Sequence, residues 1–236
     1  MKTNIFSVLL TCIISLNTYA QNNNIKMSVI LDTETNELKI QKETTFFNNS
    51  DSILNVIYFH NWANAYKDKN TPLAKRFIEN YSKTFHFTNE KNRGNTTIKS
   101  ISANYNSTTW EITDENPDIL KVNLNKSLYP NDSVKINATY LVKIPNDKFT
   151  NYGASIDSYN LRYWYLTPAI FSNKWETYNN LDMDDLYIDF TDYNISLQVP
   201  KEYFVNSNLI SSNKLDENFN NYNLVGKNKL DVELNI

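Results

Sequence analysis

The sequence predicts a mainly β fold with one inserted helix near residues 72–83. The clearest evidence is Ser133–Ile144, where apolar and polar residues alternate as in a strand with one buried face and one wet face. Tyr193–Val199 repeats the alternation, and a proline follows each segment, where it ends the hydrogen-bond ladder. Clusters of Asn, Asp, Ser and Pro between the apolar segments supply the turns.

Further strands are predicted where short apolar or alternating runs lie between these turns, and the tail 206–236 reads as short edge strands. These predicted strands are Ile25–Leu31, Glu37–Phe47, Ile53–Trp62, Thr96–Tyr105, Thr108–Thr113 and Ile119–Leu124.

The inserted helix is predicted from Pro72 to about Lys83. Thr71 is a suitable capping residue, and proline is favoured at the first helical position. Leu73, Phe77 and Tyr81 then recur every four residues, which places them on one face of a helix.

The first twenty residues have the pattern of a signal peptide. Lys2 provides a positive start, Ile5–Leu16 is an apolar run, and Ala20 is a small residue suited to cleavage. We therefore expect an exported protein, periplasmic or secreted, with residues 21–236 as one domain. The only cysteine, Cys12, lies inside the apolar run, so we expect no disulfide in the exported domain.

Composition excludes several classes of function. The net charge of −3 is spread along the chain without a basic stripe, which argues against nucleic acid as a partner. Only three glycines are present, which excludes glycine-rich phosphate loops. The longest apolar run, Ile5–Leu16, is too short to span a bilayer, so we expect no transmembrane segment.

The two histidines and an acidic run are the remaining candidates for a metal site. His60 and His86 have no partner at a metal-ligand spacing, and we interpret His60 as structural. The acidic run could hold calcium or could be an ordinary solvated face, but Tyr187 occupies the position where an EF-hand needs glycine. The acidic residues are Asp182, Asp184, Asp185, Asp189 and Asp192.

An aromatic stretch from Tyr159 to Trp175 is the most unusual segment. Read as a strand, Leu161–Leu166 carries bulky residues on both faces, so we expect it to be covered on both sides in the core or at a domain junction. The alternative is a sugar-stacking platform, since exposed aromatic faces hold ligands in many binding modules. The candidate inter-domain or ligand surface consists of Tyr163, Trp164, Tyr165 and Trp175.

Four stretches, taken in order, resemble the N-terminal domain of M1-family zinc aminopeptidases. Each is similar to a strand or strand pair of that domain, and together they run over nearly all of residues 21–236. They are LKIQKETTFFNNSDSILNVIYFHNWANAY (Leu38–Tyr66), LYPNDSVKINATYLVKIP (Leu128–Pro145), YWYLTPAIFSNKW (Tyr163–Trp175) and DLYIDFTDYNISLQVPKEYFV (Asp185–Val205).

The resemblance implies a saddle-like antiparallel β-sandwich packed against a separate, thermolysin-like catalytic domain. In that family the catalytic domain carries the zinc ligands in an H-E-x-x-H motif, which this sequence lacks. No catalytic or metal-ligating residue is therefore assigned here, and zinc is expected only in the catalytic domain.

Two functions follow as expectations. The first is the non-catalytic N-terminal domain of an exported M1-type metallopeptidase, truncated or stand-alone, that shapes the substrate rim. Its partners would be a catalytic domain of the same or a neighbouring polypeptide and a peptide substrate. Without that catalytic domain, an apolar face around Tyr163–Trp175 should be exposed. The alternative is a free-standing exported β-sandwich that binds a glycan or peptide.

Overall fold

The computed structural model describes residues 21–181 and 186–236. The proposed signal peptide, residues 1–20, lies outside them. Most of the described chain is β-strand. The strands are β1 (Asn23–Asp32), β2 (Glu37–Phe47), β3 (Leu54–His60), β4 (Asn95–Ala103), β5 (Asn106–Ser107), β6 (Trp110–Glu111), β7 (Ile119–Leu128), β8 (Ser133–Lys143), β9 (Asn160–Leu161), β10 (Thr167–Pro168), β11 (Ile170–Phe171), β12 (Trp175–Glu176), β13 (Thr191–Pro200), β14 (Asn206–Ser207), β15 (Ile210–Leu215), β16 (Phe219–Lys229) and β17 (Leu234–Asn235).

The inserted helix is confirmed but is shorter than predicted. Helix α1 spans Pro72–Glu79, and the Thr71 side chain accepts a hydrogen bond from the Ala74 amide. The helix ends early because Tyr81 adopts a left-handed backbone, with a φ of 59°. A short helix α2 (Thr84–Phe87) and two 3₁₀ turns (Trp62–Tyr66 and Glu90–Asn92) complete the helical content of the described residues.

An eight-stranded sheet forms the larger layer, in the order β15-β16-β13-β1-β2-β8-β4-β5. Its pairs are antiparallel except β1 with β13, which run parallel. The predicted antiparallel β-sandwich is thus confirmed with this one exception. Parallel neighbours need a long crossover connection, and here β2 to β12 lie between β1 and β13 in the chain. β16 is an eleven-residue strand inside the sheet, so the prediction of only short edge strands in the tail is wrong.

The core lies between the large sheet and a four-stranded sheet, ordered β10-β3-β7-β6. Alternate residues of the long strands point inward, as Ile25 and Val29 do in β1 and Ile195 and Leu197 do in β13. This is the pattern that the alternating sequence predicts. Within the described part of the chain, no helix is long and apolar enough to cross a membrane.

The aromatic stretch is not a continuous strand. Pairing stops at Leu161 and resumes at Thr167, and Tyr163 has a left-handed backbone with a φ of 53°. The predicted strand Leu161–Leu166, with its two alternating faces, is therefore wrong. Its burial, however, is as expected from its apolar character.

Candidate functional site

The aromatic stretch lies in the core of the domain. Trp164 is 4% exposed and Tyr165 is 2% exposed. The Trp164 indole N–H donates to the Val232 carbonyl over 3.1 Å, and the hydroxyls of Tyr165 and Tyr193 are 2.8 Å apart. A sugar cannot stack on rings enclosed in this way, so the described conformation contains no stacking platform on Trp164 or Tyr165.

Two tyrosine hydroxyls accept from backbone amides, one in this stretch and one in the segment that covers it. The Tyr140 hydroxyl accepts from the Leu166 amide, and the Tyr163 hydroxyl accepts from the Leu186 amide, each over 3.2 Å. Buried backbone groups need such partners, because an unpaired amide in the core is costly. Burial raises the pKa of Tyr140, which keeps its hydroxyl neutral.

The expected exposed apolar face around Tyr163–Trp175 is absent from the described structure. Tyr163, Trp164, Tyr165, Leu166 and Ala169 are all buried. The chain covers the stretch with its own residues: Leu186 and Ile188 form one cluster with Trp62 and Tyr163. That expectation is therefore wrong.

Trp175, the fourth predicted site residue, lies apart from the other three. It is half-buried on strand β12 and packs against the main core. Its ring centroid is 5.3 Å from that of Phe171, 5.6 Å from that of Tyr58 and 5.8 Å from that of Phe46. Trp175 thus serves packing and does not join Trp164 and Tyr165 in one surface.

A cleft with aromatic walls opens beside the buried stretch. It encloses about 60 Å³ of water-accessible space, enough for a few water molecules. Its lining includes Trp62, Tyr66, Tyr152, Arg162, Tyr163 and Asn180.

Arg162 is the charged residue of that lining, and carboxylates hold it in place. Its Nε is 2.6 Å from a carboxylate oxygen of Asp231 and 3.3 Å from one of Glu233. The guanidinium also lies 4.7 Å from the centroid of the Tyr163 ring. These contacts tie the aromatic stretch to the C-terminal segment and leave the guanidinium engaged within the protein.

A buried polar cluster lies at the end of β3, where it holds the backbone of residues 178–180. His60 Nε2 accepts from the Tyr178 amide over 3.2 Å, and the Asp118 carboxylate accepts from the Asn180 amide. Burial lowers the pKa of His60 to about 4 and raises the pKa of Asp118 to about 6. Neither side chain reaches solvent, so they act on the fold and not on a substrate.

This cluster only partly matches the prediction of a structural histidine. His60 Nδ1 and Asp118 Oδ1 have no hydrogen-bond partner among the described residues. The sequence predicts a turn at Asn116-Pro117-Asp118, and no local pattern indicates that the Asp118 side chain is buried.

Lys42 is a fully buried amine that the sequence analysis did not identify. Its Nζ donates to the Leu166 carbonyl and lies 4.9 Å from the centroid of the Phe59 ring. Burial lowers the pKa of Lys42 well below its usual value. A signal exists in the sequence, since Lys42 follows Leu38 and Ile40 at the two-residue spacing of the inward face.

Two of the five residues of the acidic run, Asp189 and Asp192, fall within the described structure. Asp182, Asp184 and Asp185 lie outside the described residues. Asp189 is exposed, and Asp192 accepts from the Asn228 amide over 2.8 Å. Across residues 21–181 and 186–236, no group of three or more His, Cys, Asp or Glu side chains is placed to hold a metal.

The segment that covers the aromatic stretch presents apolar side chains outward. We call residues 177–181 and 186–190 the rim segment. Leu186 and Ile188 point inward, whereas Tyr178, Tyr187 and Phe190 are 47%, 57% and 44% exposed. The Tyr178 hydroxyl donates to a carboxylate oxygen of Glu176 over 2.8 Å, and Tyr187 lies near it.

Comparison with known proteins gives matches in structure but not in sequence. No protein-family model matches the chain, and no curated protein does. A two-domain M1 zinc metallopeptidase bound to L-tryptophan has a similar fold, with a TM-score of 0.53 and 9% identity over 92% of this chain and 43% of its own. The M1 zinc metallopeptidase of Deinococcus radiodurans gives 0.51 and 9% identity over 91% of this chain and 41% of its own.

A larger enzyme gives the same result. Legionella pneumophila aminopeptidase A, in complex with aspartic acid, matches with a TM-score of 0.50 and 12% identity over 93% of this chain and 22% of its own. The chain therefore spans less than half the length of these enzymes. At such low identity the likeness is one of fold, and the fold is that of one part of an M1 metallopeptidase.

Proposed function

We propose that this chain is the non-catalytic N-terminal domain of an exported M1-type zinc metallopeptidase, which packs against a catalytic domain and shapes its substrate rim. The observation that carries the proposal is the fold match, which uses 92% of this chain but only 43% of a two-domain M1 metallopeptidase. The chain also lacks an H-E-x-x-H motif. Zinc and the catalytic groups then belong to the other domain.

The rim segment is the surface we assign to that partner. It covers the aromatic stretch, which resembles the part of the M1 sandwich near the catalytic domain. Its outer side presents Tyr178, Tyr187 and Phe190, a set of large side chains that is typical of protein interfaces. A peptide substrate held at the junction of the two domains would also contact the rim segment.

Binding to a separately produced catalytic domain tests this assignment. An M1 catalytic domain from the same genome would be titrated with the full chain, and complex formation measured by sedimentation and calorimetry. We expect a complex, and we expect the variant carrying Tyr178→Ser and Tyr187→Ser to bind roughly tenfold more weakly or worse, because central tyrosines dominate interface energy.

A matched control uses two tyrosines outside the rim segment. Tyr81 is 90% exposed and Tyr129 is 55% exposed, so Tyr81→Ser with Tyr129→Ser removes the same groups elsewhere. This control should bind like the unmodified chain. Equal binding by both double variants would reject the rim segment as the interface, and no complex at all would contradict the proposed function.

A further inference from the structure

The outer face of the large sheet forms a shallow groove that the proposed function does not use. The groove has a volume of about 800 Å³ and lies across strands β13, β1, β2, β8 and β4. The backbone groups of these strands are already paired with each other, so only side chains are available to a ligand.

The strand register arranges the outward side chains of the groove into two straight rows. Both rows run perpendicular to the strands, and each crosses four inter-strand steps of about 4.8 Å, which gives a length of about 19 Å. One row is Asn194, Lys26, Glu43, Asn137 and Ser102, and the other is Ser196, Ser28, Gln41, Thr139 and Ser100.

The two rows consist mainly of neutral hydroxyl and amide groups, which both donate and accept hydrogen bonds. The exceptions, Lys26 and Glu43, are opposite in charge and adjacent in register. The Asn137 side-chain nitrogen has no hydrogen-bond partner in the described chain, so rotating it toward a ligand would break no existing bond. The rows therefore suit an uncharged, hydroxyl-rich ligand.

An aromatic ring is held at the end of the groove nearest β4 and β5. Tyr105 lines the groove and is 72% exposed. Lys135 lies near its hydroxyl, and the Lys135 Nζ is 3.1 Å from a carboxylate oxygen of Glu43 in the first row. Tyr105 also has a left-handed backbone, with a φ of 66°. Asn104 is left-handed as well, and the two residues form the turn between β4 and β5, which places the Tyr105 ring at this end of the groove.

We propose that this groove binds a neutral oligosaccharide, with Tyr105 stacking on one sugar ring and the two rows bonding its hydroxyls. The step between strands is comparable to the length of one sugar unit in an extended chain, so successive sugars would meet successive strands. A peptide fits less well, because peptides that add to sheets do so at unpaired edges and not across a paired face. This site is independent of the proposed peptidase role.

Calorimetric titration of the full chain tests the proposal. The probes are cellohexaose, xylohexaose, chitohexaose and mannohexaose, with a neutral Ser/Ala hexapeptide as the competing class. We expect at least one oligosaccharide to bind and the peptide not to bind. Tyr105→Ala should weaken that binding roughly tenfold, through loss of the stacking contact.

Two further variants make the result specific. Tyr81→Ala is the matched control, since Tyr81 is also exposed and also left-handed, and it should leave binding unchanged. Gln41→Glu places a charge in the middle of the groove without altering its backbone and should abolish binding. Absence of binding to every oligosaccharide, binding to the peptide alone, or equal loss with Tyr81→Ala would overturn the proposal.

Discussion

The indole N–H of Trp164 donates a hydrogen bond to the backbone carbonyl of Val232 over 3.1 Å in the core of the domain. This bond joins the aromatic stretch, which has no continuous strand partner, to the segment just before β17. The tryptophan therefore fixes the position of two irregular segments relative to each other and is not a free recognition surface.

Trp164→Phe should destabilise the domain by about 1–3 kcal/mol, because it leaves the buried Val232 carbonyl without this donor. The free energy of unfolding in urea measures the effect. Trp110→Phe is the control, since Trp110 is 39% exposed and its replacement should change stability little. Equal stability of the Trp164 variant and the unmodified protein would contradict the assigned role.

Lys42 should make the free energy of unfolding depend on pH below the ordinary lysine pKa of 10.5. Its pKa is lowered in the folded state, so the unfolded chain binds more protons between that lowered pKa and the ordinary 10.5. Stability should therefore rise with pH in this window, by up to about 1.4 kcal/mol per pH unit. Lys42→Met should remove the rise, while Lys75→Met on the exposed side of α1 should keep it.

His60 and Asp118 should give opposite slopes at acidic pH. The His60 pKa falls from 6.5 to about 4, so its contribution to stability grows as pH rises through that window. The Asp118 pKa rises from 3.8 to about 6, so its contribution is present at low pH and is lost as pH rises toward 6. The two slopes largely offset each other in the unmodified protein.

Single substitutions should separate these slopes. Asp118→Asn should leave a free energy of unfolding that rises between pH 4 and 6, and His60→Gln should leave one that falls, each by up to about 1.4 kcal/mol per pH unit. Urea unfolding at several pH values measures both. Identical slopes in the two variants would show that these groups are not the source of the pH dependence.

The long strands and the helix start were predictable because their signals are local. Glu37–Phe47 was predicted at its observed bounds. Alternation of apolar and polar residues along a segment directly indicates a strand with one buried face and one exposed face. Pro72 marks the helix start through its fixed φ and missing amide hydrogen. The early end of α1 at Glu79 was not predictable, because it depends on the left-handed backbone of Tyr81, and tyrosine rarely adopts that conformation.

The candidate site was less predictable because tertiary contacts decide it. The Tyr140 hydroxyl accepts from the Leu166 amide of the aromatic stretch, and the Tyr163 hydroxyl accepts from the Leu186 amide. Both donors are distant in sequence from their acceptors. The buried Asp118 carboxylate accepts from the Asn180 amide, which also lies far along the chain. Only Lys42 had a local signal, its inward register on β2.

The most direct test of the central proposal is a peptidase assay of the purified chain with and without an M1 catalytic domain from the same genome. An aminoacyl reporter is offered to the chain, to the catalytic domain and to their mixture, each with and without a zinc chelator, and bound zinc is measured. We predict no stoichiometric zinc and no hydrolysis for the chain alone, and chelator-sensitive hydrolysis by the mixture with kinetics that differ from those of the catalytic domain alone. Chelator-sensitive hydrolysis by the chain alone, or a mixture whose kinetics match those of the isolated catalytic domain, would contradict the account.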